Sequence, residues 1–253
     1  MWNAIGPQPM TLAIGRTRVA APGGRRTMVR ARYDAAQTNH DNRKHWALAD
    51  GLSADAAASP AVRRTLRNRA RYEVANNSYA RGIVLTLAND CIGTGPRLQL
   101  MGIVGDDARF IERSFIDWAH TIDLAEKLRC MRMAMAEDGE SFALLTSNPA
   151  LATPVQLDLK LIEADQVATP VGTPLLLTNA VDGILFDAAG NPVEYHVLKD
   201  HPGNPLGSMR LDVDRVPVAS MIHLFRPDRP GQLRRSRCRW EHLGLRCRHP
   251  STS

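Results

Sequence analysis

The chain has 253 residues, 44% of them apolar and 5% aromatic, which is enough for one large folded domain or two small ones. No stretch approaches the roughly 20 apolar residues needed to cross a bilayer, and Met1–Met10 lacks the basic start and apolar core of a secretion signal. The net charge of +6 divides sharply: +9 over residues 1–81, −9 over 82–225 and +6 over 226–253, so a uniformly basic nucleic-acid module is excluded.

Cys91, Cys130, Cys238 and Cys247 form no CxxC pair, which excludes a zinc knuckle or thioredoxin-type motif. Without a secretion signal the default compartment is the cytosol and no disulfide is expected, so Cys91 and Cys130 are expected as small core residues.

In chain order, residues 1–30 are rich in Pro, Gly and Arg and show no period, which predicts a mobile basic arm. The arm is either a solvated terminus or a phosphate-touching segment. The polar run Asn39–His45 precedes Trp46, expected as the buried anchor of a surface loop. His40 and His45 are five residues apart, about 140° on a helix, and so do not share a face as metal ligands would.

Ser59-Pro60 predicts a helix start, with proline where its missing N–H is no loss. Val62, Leu66, Ala70 and Val74 recur every fourth residue and are expected inward. Arg63, Arg64, Arg67, Arg69 and Arg71 are expected to form a basic exterior. Asn76-Asn77-Ser78 breaks the helix, and a second one follows with Ala80, Ile83, Val84, Leu87 and Ala88 inward. Gly93-Thr94-Gly95-Pro96 stops it; without a Lys-Ser/Thr pair and a following helix it is no phosphate loop. Leu98, Leu100 and Ile103 suggest a short strand.

Asp106-Asp107 is a favourable anionic start for a third helix, with Phe110 or Ile111, Phe115 and Trp118 as its apolar stripe. A fourth spans about Leu124 to Ala136, with Leu124, Leu128, Met131 and Met135 inward. Glu137, Asp138 and Glu140 could together hold Mg²⁺ or Ca²⁺, but the EF-hand spacing is absent and a solvated turn is expected.

From Ser141 the period changes to two. Strands are predicted at 142–145, 155–161, 183–186, 193–197 and 221–225, with a hairpin connection over 187–192 and a long loop over 164–180. The strict alternation in 155–161 argues for a sheet with one wet face. The layout is α+β, N-terminal helices followed by a mostly antiparallel sheet. No GxSxG elbow is present. His196 and His201 lack a ligand-pair spacing, and His223 lies on an apolar strand where a structural histidine is expected. The expectation is therefore no enzyme, with no catalytic, cofactor-binding or metal residues.

Several runs resemble, in order, the lambda-type portal family of tailed phages. These are Tyr33-Asp34-Ala35-Ala36, His45-Trp46, the arginines Arg64, Arg67 and Arg69, Asn76 to Gly82, Ile92 to Pro96 and Glu137 to Phe142. They continue with Leu161-Ile162-Glu163-Ala164-Asp165, Asp187 to Pro192, Tyr195 to Leu198, His201-Pro202-Gly203 and His223 to Gln232. The resemblance implies a wing-like α+β domain over 31–233 in a subunit of a twelve-fold ring at one capsid vertex. It further implies terminase, capsid and head-completion proteins as partners, double-stranded DNA in the channel, no membrane, and a place in the virion after assembly in the host cytoplasm. The alternatives are a non-functional prophage remnant and a basic-armed nucleic-acid binder using residues 16–32 and 63–81.

Residues 234–253 depart from the family pattern. They hold six Arg and two Cys with no apolar period, in a chain with 28 Arg and 4 Lys. Out-of-frame reading of GC-rich DNA yields such residues, so the expectation is an aberrant, disordered tail that begins near Arg234.

Overall fold

The computed structural model describes residues 40–41, 43–47, 49, 51–102, 105–169, 180–204 and 212–234. The expected basic arm 1–30, the loop centre 170–179, Ile103, and residues 235–253 of the tail lie outside them. The chain divides into two units, Met1–Gly51 and Leu52–Ser253. In the first, His45 sits edge-on to Trp46 with ring centroids 4.5 Å apart. Trp46 is 45% exposed and not a buried anchor, for the polar run around it supplies almost no apolar partners.

Among the described residues of the second unit, helices α1 (Ala54–Ala57), α2 (Pro60–Asn76), α3 (Ser78–Ile92), α4 (Asp106–Thr121) and α5 (Leu124–Glu137) precede seven strands. These are β1 (Glu140–Ser147), β2 (Leu157–Ile162), β3 (Ala180–Val181), β4 (Ile184–Phe186), β5 (Pro192–Leu198), β6 (Val213–Pro217) and β7 (Met221–Phe225). The α+β layout, helices first and antiparallel sheet after, is the one expected. Two strands were not: β3 is two residues long, and β6 lies in Asp212–Pro217, where charged residues dilute the apolar alternation. No strand forms at Leu98–Leu100; Leu100 N–H donates to the Glu112 carboxylate of α4 instead (2.9 Å).

The helix joint works as its residues dictate. The Asn77 side chain accepts from Tyr79 N–H at 3.0 Å and Ala80 N–H at 3.4 Å, satisfying amides at the start of α3. Pro60 opens α2, while the preceding Ser59 makes no side-chain cap. Gly93, at φ +55, closes α3 in a conformation that costs a residue with a Cβ.

The described strands form antiparallel sheets ordered β2-β1-β7 and β3-β4-β5-β6. Among the described residues, three small cores hold the layers together. One lies between the sheets, built on Phe142, Ile162, Val167, Ile184, Tyr195 and Val216. Another packs Met131 of α5, with Leu124, against Ala143 of β1 and Leu159 of β2. The last joins α2, α3 and α5 through Ala70, Val74, Ala80, Val84 and Met133. Opposite faces of β1 thus serve different cores, which is why Glu140–Ala143 are all buried.

Several expected orientations are corrected. On α2, Ala70 and Val74 are buried, but Val62 is exposed and Arg63 and Arg67 take the inward positions beside them. On α3, Ile83 and Leu87 are exposed while only Ala80, Val84 and Ala88 are buried. Phe110 and Ile111 lie outward on α4, whereas Phe115 and Trp118 pack on the α5–β1 core. Cys91 and Cys130 are exposed, not core residues. The helix errors share a source, since helical period marks a face but cannot say which of two adjacent stripes is buried; the cysteines were placed by residue type alone.

Candidate functional site: a buried arginine–carboxylate cluster

The inward stripe of α2 carries arginines at positions 63, 67 and 71, four residues apart and so on one face. Each meets a carboxylate from the sheet half. Arg63 pairs with Asp182 in the β3–β4 turn. Arg67 Nη1 donates to Asp165 Oδ1 at 2.7 Å, with its Nη2 3.7 Å from Glu140. Arg71 binds Asp138 through two bonds of 2.8 and 2.7 Å, and its Nη1 lies 2.9 Å from Asp165. A parallel two-bond arginine–carboxylate fork is the strongest form of this pairing.

At the centre Glu140, 0% exposed at the start of β1, meets Arg234, also 0% exposed. Arg234 Nη2 donates to Glu140 Oε1 at 2.6 Å and Nε donates at 3.1 Å. Four carboxylates (Asp138, Glu140, Asp165, Asp182) therefore face four arginines (63, 67, 71, 234). Burial is tolerable because each charge has an opposite partner.

The expected solvated turn at Glu137–Glu140 is corrected accordingly: Asp138 and Glu140 are buried and committed to arginines, with no oxygens to spare for Mg²⁺ or Ca²⁺. Arg234, expected as the first residue of an aberrant tail, is in the middle of the cluster. A feature visible in the sequence, the four-residue arginine spacing on a stripe adjoining the apolar one, marks α2 as two-faced. Nothing local marks residue 234.

His223, expected as a structural histidine, is half-buried as a residue, with its side chain only 6% exposed. It stacks between Phe142 and Phe225, with centroids at 4.2 and 4.5 Å, and its Nε2 is 3.2 Å from Glu140 Oε2. Burial holds its pKa below the usual histidine value, outweighing the opposing pull of Glu140. Burial alone would raise the Glu140 pKa, but Arg234 and the His223 hydrogen bond overcome it and hold the carboxyl down at about 2. Both folded pKa values lie below their unfolded ones, so each group adds stability at neutral pH that is lost on acidification. The expected urea midpoint falls first as pH drops below the free histidine value near 6.5, then again between about 4.5 and 2. A Glu140→Gln variant should show a smaller second phase while keeping the first.

Among the described residues one group could converge on a metal. Glu163, Asp165 and His201 bring ligand atoms within 4.8 Å of one another. The donor set does not fit. His201 Nδ1 accepts from Gly203 N–H at 3.0 Å, so the neutral ring carries its hydrogen on Nε2, the atom that faces the carboxylates at 3.3 and 3.9 Å. A metal needs a lone pair there, and Arg71 already neutralises Asp165. His196 lies elsewhere, buried on β5 and 3.1 Å from Glu194.

No helix among the described residues is long and apolar enough to cross a membrane. A family model described as "Phage portal protein, lambda family" matches residues 40–236. A curated "Probable portal protein" of Halomonas phage phiHAP-1 (isolate -/Gulf of Mexico/-/2001) is 27% identical over 202 residues, covering 73% of this chain and 38% of the relative. The chain thus spans well under half the length of that relative.

Proposed function

The chain belongs to the lambda family of phage portal proteins, and from that premise we propose that it is a structural subunit of a phage head rather than a catalyst. In this reading it is a portion of a homo-oligomeric, twelve-fold ring at one capsid vertex, and the helix and sheet unit is the outer wing. The ring admits terminase, passes double-stranded DNA in packaging and ejection, and seats the head-completion proteins. The product resides in the virion after assembly in host cytoplasm.

The observation that carries this reading is the agreement between the family match, which ends at residue 236, and the buried cluster, which takes in Arg234. The family match takes in Arg234, so a frame change, if the gene carries one, falls after it. The chemistry of the cluster is consistent with a structural role: every carboxylate in it is held by an arginine, leaving no general base and no metal ligand free.

The basic-armed nucleic-acid reading loses part of its footing. Arg63, Arg67 and Arg71, three of the residues it would use, are turned inward against carboxylates. Quantitative peptide mass spectrometry of purified phage heads tests the proposal. Peptides from 52–234 at about the stoichiometry of a vertex ring are expected. Heads that contain a different portal and no trace of this chain would overturn it and favour the prophage remnant.

A further inference from the structure

A strap follows β7 and ends, among the described residues, at Arg234. Residues 226–231 are exposed, with Pro227 and Pro230 among them. Arg229 Nη2 donates to Leu52 O at 3.2 Å, and Leu233 N–H donates to Asp55 Oδ1 at 3.2 Å. Arg234 then enters a socket that the rest of the unit has built.

All five N–H groups of its guanidinium find acceptors. Nε and one Nη2 hydrogen go to Glu140, and the other Nη2 hydrogen goes to Ala164 O at 3.1 Å. Nη1 donates to Val167 O and Asp182 O, both at 2.5 Å, with Asp182 Oδ2 at 3.3 Å. The Phe142 ring lies beneath the plane, 5.4 Å from Cζ to its centroid. These acceptors come from β1, the loop after β2 and the β3–β4 turn, and none from the strap. An ammonium with three donors would leave acceptors unmatched; the fork of a guanidinium matches them.

We propose that this socket is a guanidinium-binding site in its own right, with Arg234 as a ligand carried in cis on the strap of residues 226–234. Filling it fastens the point at which the chain leaves the sheet. With Arg234 removed, three arginines face four carboxylates, so the emptied socket lacks one positive charge and keeps its planar array of acceptors. A small monosubstituted guanidinium should then bind in trans. This inference stands apart from the portal reading, since it rests on the socket alone.

The experiment uses the full chain with Arg234→Ala and ethylguanidinium, which restores the deleted atoms beyond Cβ. At low millimolar concentrations, far below denaturing ones, the Tm of the variant should rise saturably, by about 3–6 °C at ten times Kd. Wild type, with its socket filled, should not respond, nor should Glu140→Gln/Arg234→Ala. Tetramethylammonium at equal concentration controls for charge alone. A variant without a dose-dependent rise, or an equal rise in the double variant, overturns the proposal. Should Arg234→Ala be insoluble, refolding yield with and without ethylguanidinium is read the same way: recovery supports the site, and no recovery refutes it.

Discussion

Glu140→Gln is expected to destabilise the domain by about 3–5 kcal/mol, the usual consequence of removing one partner from a buried ion pair. For a domain of this size the corresponding drop in Tm is roughly 6–20 °C. The large effect has a specific cause. Arg234 has no exposure and its Nε and Nη2 both turn to this carboxylate, so the neutral amide leaves a buried cation short of a counter-charge. The amide also presents an N–H to a site made of donors, since His223 and Arg67 approach the same group. A double-mutant cycle with Arg234→Met separates loss of the pair from loss of packing. The double variant should be less destabilised than the sum of the single ones by at least about 2 kcal/mol. Additivity within about 0.5 kcal/mol would mean that the two side chains do not act together.

Gly183→Ala is the second substitution expected to do severe damage, by about 2–4 kcal/mol, although it adds only a methyl group. Gly183 sits at φ +85, and an added Cβ would lie 2.6 Å from Ala168 N and 2.9 Å from Ala168 Cα and C. These are backbone atoms and cannot rotate away. The local chain is pinned from both sides, with Gly183 N–H donating to Thr169 Oγ1 at 2.8 Å and His196 N–H donating to Gly183 O at 2.7 Å. Relief would therefore drag the turn outward, and Asp182 with it. That residue holds Arg63 through its carboxylate and Arg234 through its carbonyl. Gly190→Ala is the control. It has the same φ of +85 but nothing within 4 Å of the added carbon, so it should lose only about 1 kcal/mol. Urea denaturation of the two variants checks the difference. Equal losses would mean that backbone conformation alone, and not the close approach to Ala168, makes Gly183 necessary.

Much of the fold was legible because its signals are local. Pro60 after Ser59, Asn77 between α2 and α3, Gly93 after α3 and the turn Asp187–Asn191 each act within a few residues of themselves. Asp187 shows the principle, its carboxylate accepting from Ala189 N–H and Asn191 N–H at 2.9 and 2.8 Å. The strands β1, β2, β5 and β7 were likewise readable from alternation or apolar runs. The short β3 and the charge-diluted β6 were not, for they are strands only by virtue of the neighbours they pair with.

The cluster was legible only in its ingredients. Spacing showed that Arg63, Arg67 and Arg71 share a face, and composition showed a carboxylate-rich middle. Whether that face meets solvent or protein depends on partners about 70 to 120 residues away in sequence: Asp138, Asp165 and Asp182. For a lone helix, burying an arginine is so costly that the outward assignment is the reasonable one. Tertiary structure reverses it by delivering a carboxylate to each guanidinium. Arg234 is the sharpest instance. In sequence it opens a run of arginines without pattern, while in the fold its five N–H groups are matched by segments that precede it by 52 to 94 residues. The sequence by itself determined the α+β class, the succession of helices then strands and the family resemblance, all carried by short-range pattern. Only the folded chain could decide which charges lie inside, because the energy of a buried charge belongs to its partner as much as to itself.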